Sequence, residues 1–148
     1  MKKTLPIANL AASACLCGHK VRYDGGDCAA ADVLAGEAWP ICPEVMCGLP
    51  TPRAPAESVD GYGHDVWAGR ARVMGADGVD VTEAFKLGAE LALQRLQAAH
   101  IDTVYLKAKS PSCGQGQIYD GSFSGQLREG DGVSTALFQQ HGIRVISL

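Results

Sequence analysis

The chain contains no run of about 18 apolar residues, which leaves no candidate membrane-spanning helix in the sequence. It has little excess charge of either sign. Thirteen Lys and Arg against 16 Asp and Glu give a net charge of -3, and the basic residues are dispersed, so no electrostatic footprint for duplex nucleic acid exists. Neither G-x-G-x-x-G nor G-x-x-x-x-G-K-[ST] occurs, which removes the usual support for a nucleotide-binding α/β domain. No two cysteines stand at C-x-x-C spacing, which excludes a zinc ribbon or a thioredoxin-like redox motif. A small-molecule partner is expected.

What is present is a 148-residue chain with 47% apolar and 20% charged residues. A chain of this length buries about two thirds of its unfolded surface and builds a core without a disulfide framework. We expect one domain over residues 1–148, in the cytoplasm. The anomaly is six cysteines, because a reducing compartment turns cysteine into a metal ligand, a catalyst or a plain core residue. The opening "MKKTLPIANLAASACLCGHK" has the outline of a lipoprotein export signal ending at Cys15. Pro6 and Asn9 interrupt its short apolar centre, and Ala12 stands where such signals favour leucine. The alternative is a first buried strand that delivers Cys15 to a site.

Along the chain, β-like and helix-like segments alternate. "IANLAASA" is expected as a buried strand and "GGDCAAADVLAG" as a short helix; "AWPICPEV" is expected to be a strand that Pro43 ends, with Cys42 at its tip. Between Arg53 and Gly78, "HDVWAGRARVM" carries two apolar runs that suggest a hairpin or an excursion over the core. "DVTEAFKLGAELALQRLQAAH" predicts the strongest helix, capped by Asp80 or Thr82, with Ala84, Leu87 and Leu91 on one stripe. A strand from Ile101 to about Ala108, a helix from about Gly132 to His141 and a last strand "IRVISL" follow. Strand, helix, strand, helix with short connections predicts an α/β fold: a layered, mostly parallel, Rossmann-like sheet with helices on its faces.

In such sheets ligands bind beyond the carboxyl ends of the strands, where this reading places Cys15, Cys42 and Cys113. Three converging thiolates form a soft donor set for zinc, copper(I) or an iron–sulfur cluster and leave a coordination position open for catalysis. The same cysteines also suit small buried core positions. Glu44 stands two residues after Cys42, placed either as a general acid or base or as a solvated turn residue; Ser110, three before Cys113, is either a site hydroxyl or a turn former. Arg53 and Asp24 suit either a buried ion pair or a grip on substrate, with a scaffolding role favoured.

The ordered motifs "SACLCG…RYDGG…CPEVMCGLPTPR…SPSCG…IYDGSFSG…GDGVSTALFQQHGI" extend over nearly the whole chain, from Ser13 to Ile146. In them the sequence closely resembles a bacterial family long catalogued as a domain of unknown function and now associated with thiouracil desulfidase activity. The resemblance implies a [4Fe–4S] cluster held by Cys15, Cys42 and Cys113, with one iron not bound by protein and able to take the sulfur of a thiocarbonyl substrate. It implies acid–base roles for Glu44 and Ser110, a thiolated pyrimidine base or nucleoside as substrate, and release of hydrogen sulfide. It also decides the opening segment, since a cluster ligand at Cys15 keeps the preceding strand attached. Cys17, Cys28 and Cys47 lie outside the motif cysteines, and at Cys17 and Cys47 the family pattern expects other residues. The competing expectation is a non-enzymatic iron–sulfur or thiol protein that senses oxidants or carries sulfur.

Overall fold

A computed structural model describes residues 10–14, 23–24 and 39–147. Along the chain come β1 (Leu10–Ser13), β2 (Trp39–Ile41), α1 (Pro43–Met46), β3 (Ala56–Val59), α2 (Gly63–Trp67) and β4 (Arg72–Gly75). Then follow α3 (Thr82–Ala98), β5 (Thr103–Leu106), β6 (Gln117–Tyr119), β7 (Leu127–Glu129), α4 (Val133–Gln140) and β8 (Arg144–Ser147). Four strands form one sheet in the order β2-β1-β5-β8, and every pairing in it is parallel. Strand β1 lies inside the sheet, and Ala11 and Ala12 are fully buried. Burial on both faces explains why "LAAS" is small and apolar without alternation. The expected α/β architecture with a parallel sheet flanked by helices is observed. The helix expected from "GGDCAAADVLAG" lies outside the described residues.

Between Arg53 and Gly78 the hairpin alternative fails. "HDVWAGRARVM" is not a hairpin: its first apolar run belongs to helix α2, and its second is β4, which pairs antiparallel with β3 from Ala56↔Gly75 to Val59↔Arg72. The helix is set locally by Asp65, whose Oδ2 accepts the Tyr62 N–H at 3.1 Å and closes a capping box. It is set at longer range by Trp67, whose indole N–H donates to the Val133 carbonyl at 2.9 Å.

Helix α3 forms where expected, and Asp80 Oδ1 accepts the Thr82 N–H at 2.9 Å, but its buried face is not the expected one. Leu87 is 47% exposed, while Phe85, Gly88, Ala89, Ala92, Leu93 and Leu96 are buried. The small residues decide this. A Cβ on Gly88 would overlap the Pro43 carbonyl oxygen, so the glycine lets α1 lie directly on α3. Helix α4 packs against α3 as well and leads into β8. Among the described residues no helix is long and apolar enough to cross a membrane.

Candidate functional site

The carboxyl ends of β1, β2 and β5 open into a cavity of about 600 Å³, within the usual range for small-molecule sites. Ser13 and Ala14 reach it from β1, Ile41 and Cys42 from β2, and Lys107 and Ala108 from β5. A cross-strand bond ties these ends together, with the Lys107 N–H donating to Ser13 Oγ at 3.0 Å. Cys42 and Cys113 both line the cavity, as do Glu44 and Ser110. Cys15 lies outside the described residues, one position beyond cavity-lining Ala14, and Cys17 and Cys28 lie outside them too.

Cys42 leaves β2 in extended conformation and becomes the residue before α1, with Pro43 in the first helical turn, where its missing N–H costs nothing. The half-buried Cys42 thiol is pushed up from its usual pKa by burial; the Val45 N–H draws it back, and the charge of Glu44 adds to the rise. The charge of Arg53 offsets part of the rise, and a metal ion bound at the sulfur would favour the thiolate more strongly.

Cys113 is placed by a different device. Ser110 Oγ accepts the N–H groups of Ser112 at 3.0 Å and Cys113 at 3.1 Å, winding the "SPSC" turn on itself. The carbonyls of that turn then face the start of α4: Pro111 accepts the Val133 N–H and Ser112 the Ser134 N–H, each at 2.8 Å, which satisfies donors a helix start leaves open. Gly132 permits the approach, because a Cβ there would stand 2.5 Å from the Ser112 carbonyl oxygen. Cys113 is 6% exposed, with its sulfur 3.8 Å from Ser112 Oγ. Ser110 is therefore a turn former, and its two accepted bonds leave its one hydroxyl hydrogen to donate.

Glu44 is not a solvated turn residue. Arg53 donates to its Oε1 from Nε at 3.1 Å and from Nη2 at 2.9 Å, and the Arg53 and Glu44 side chains are only 9% and 20% exposed. Both bonds fall on Oε1, which leaves Oε2 to a water or a substrate nitrogen. Arg53 is joined to the "RYDGG" turn through its N–H, which donates to the Tyr23 carbonyl at 2.6 Å beside Asp24. Glu44 is thus a partner of Arg53 that residue spacing did not indicate.

Among the cavity residues that sequence reasoning missed are Glu57 on β3 and Phe123 in the loop between β6 and β7. "AESV" carries no signal that its carboxylate turns inward. Phe123 sits within the quoted "IYDGSFSG" motif, but nothing in that motif names its role.

On donor chemistry the described residues fit a thiolate-held cluster. Two soft sulfurs from separate elements line one cavity, and the strand end that precedes the third motif cysteine lines it as well. Among the described residues no three His, Cys, Asp or Glu side chains form a metal-binding group of their own.

A family model described as 2-thiouracil desulfurase matches residues 10–148. The chain is 44% identical over 139 residues to the uncharacterized protein YbbK of Bacillus subtilis (strain 168), covering 91% of this chain and 92% of that protein. Among solved structures it resembles the [4Fe-4S]-dependent thiouracil desulfidase TudS with a TM-score of 0.81 and 44% identity, over 94% of this chain and 89% of that one.

Proposed function

The chain belongs to the 2-thiouracil desulfurase family, and from that premise we propose that it is an iron–sulfur-dependent desulfidase replacing C=S by C=O in a thiolated pyrimidine. The 148 residues act as one catalytic unit in the cytoplasm, on a free base or nucleoside. Cys15, Cys42 and Cys113 would hold a [4Fe–4S] cluster, which would leave one iron free of protein ligands. When bound, the cluster supplies a Lewis acid that polarises the thiocarbonyl and needs no electron transfer.

The chain's own residues do the rest. Glu44, fixed through Oε1 by Arg53, takes a proton at Oε2 from the water that adds to the thiocarbonyl carbon. Ser110 donates a hydrogen bond from its hydroxyl to the substrate, keeping its proton, while its Oγ holds the Cys113 turn. The carbon–sulfur bond then breaks, the water oxygen stays as the carbonyl, and its two protons leave with the sulfur as hydrogen sulfide. The observation carrying this reading is that Cys42, Cys113, Glu44 and Ser110, drawn from two separate segments, line one cavity at the carboxyl edge of the sheet.

Glu44→Gln tests the assignment. Its amide keeps the shape and accepts the Arg53 bonds but takes no proton, so iron content and visible colour persist while turnover falls by about 100-fold or more. Unchanged turnover removes Glu44 from the chemistry.

A further inference from the structure

Phe123 is an expensive residue with no role in the core. It is 41% exposed, it stands in an otherwise small and polar loop "DGSFSGQ", and its φ of +58° is a left-handed conformation that bulky side chains rarely adopt. Yet it lines the same cavity as Cys42 and Cys113.

The loop is held there by a buried carboxylate. Glu57, 9% exposed on β3, accepts at Oε1 the backbone N–H groups of Gly121 at 2.9 Å and Phe123 at 3.1 Å. Gly121 lies so close to β3 that a Cβ on it would stand 2.5 Å from the Ser58 carbonyl oxygen. Asp120 adds a local brace by accepting the Ser122 N–H at 2.9 Å. A strained aromatic fixed on a cavity rim by two bonds to one buried carboxylate is suited to meeting a flat ring.

We propose that Phe123 is a specificity-determining wall that stacks on the substrate's pyrimidine ring, and that Glu57 is the positioning residue that sets it. The inference rests on the desulfidase reading for the identity of the ring. Every nucleobase has a π face, so this wall recognises planarity and leaves discrimination between C=S and C=O to the other side of the cavity.

The test uses the reconstituted holoprotein and two readouts: KM and kcat for sulfide release from 2-thiouracil, and calorimetric Kd for uracil, which needs no turnover. Phe123→Ala raises both KM and the uracil Kd by about 5- to 150-fold, the range for loss of one base–aromatic stack, with kcat little changed. Phe123→Leu shows the same loss and Phe123→Tyr restores wild-type binding. Glu57→Ala raises KM in the same direction, and Glu57→Gln, which keeps a carbonyl acceptor, recovers most of it. Uracil affinity in Phe123→Ala and Phe123→Leu equal to wild type overturns the wall whatever the activity. A wild-type protein that binds uracil through Phe123 but releases no sulfide supports the wall and overturns the desulfidase reading instead.

Discussion

Gly88→Ala sets two physical effects against each other. Glycine inside a helix costs about 1 kcal/mol relative to alanine, so helix propensity alone makes this substitution stabilising. In the structure the added methyl meets the Pro43 carbonyl oxygen, a backbone atom that cannot rotate aside, with Cys47 Cβ 3.4 Å away on the same flank. Overpacking of this kind costs about 1–3 kcal/mol, and relief requires moving α1 off α3. Because the overlap is with backbone, the cost falls in the upper part of that range, about 2–3 kcal/mol. The contact term therefore wins and leaves the variant about 1–2 kcal/mol less stable, or about 2–8 °C lower in Tm at this chain length. Turnover falls with it, because α1 carries Glu44 and begins at Cys42, and a displacement of about 1 Å at reacting groups costs on the order of 100-fold. A thermal melt followed by the sulfide-release assay measures both. A Tm that rises refutes the packing argument and leaves propensity in control.

Three further outcomes follow from the geometry. Arg53→Gln removes the charge-assisted bonds that hold Glu44, worth about 1.5–3 kcal/mol, so turnover drops by about 10-fold or more while the iron count per chain stays at the wild-type value; equal loss of iron places Arg53 in the scaffold of the cluster instead. Cys113→Ala and Cys42→Ala each leave the reconstituted protein short of iron, and a full cluster in either variant removes that cysteine from the ligand set. The backbone N–H of Tyr62, followed by Arg70, holds the Asp65 carboxyl below its usual pKa. A depressed folded value contributes stability above the unfolded value of about 3.9 and loses it as pH falls through the folded one, so Asp65→Asn lowers Tm at pH 7 and the gap to wild type closes in acid below about pH 4; a gap constant with pH contradicts the linkage.

The parallel sheet was legible because its strands write themselves as short apolar runs separated by helical periodicity, and the inner strand β1 is buried along most of its length. The strand-end position of Cys42 was legible for a related reason, since Pro43 admits a helix start but no further strand. Two features were hidden for physical causes. The inner face of α3 is built from Gly88, Ala89 and Ala92 as much as from large residues, so a pattern weighted by Leu87 and Leu91 points to the wrong side. The Glu44–Arg53 pair spans nine residues across an irregular loop, and the Glu57–Phe123 bond spans 66, distances at which neither propensity nor periodicity carries information. The role of Ser110 as a turn former was legible as an alternative, and the fold combines it with a place on the cavity wall.

The most direct test of the central claim is to reconstitute the wild-type protein anaerobically with iron and sulfide, count iron per chain, and then count sulfide released from 2-thiouracil with no reductant added. The account predicts four irons per chain, the cluster named in the structural relative, and many equivalents of sulfide released for each cluster. A full cluster that releases at most one sulfide per chain, or that works only with a reductant, contradicts it and favours a sulfur carrier or a redox sensor.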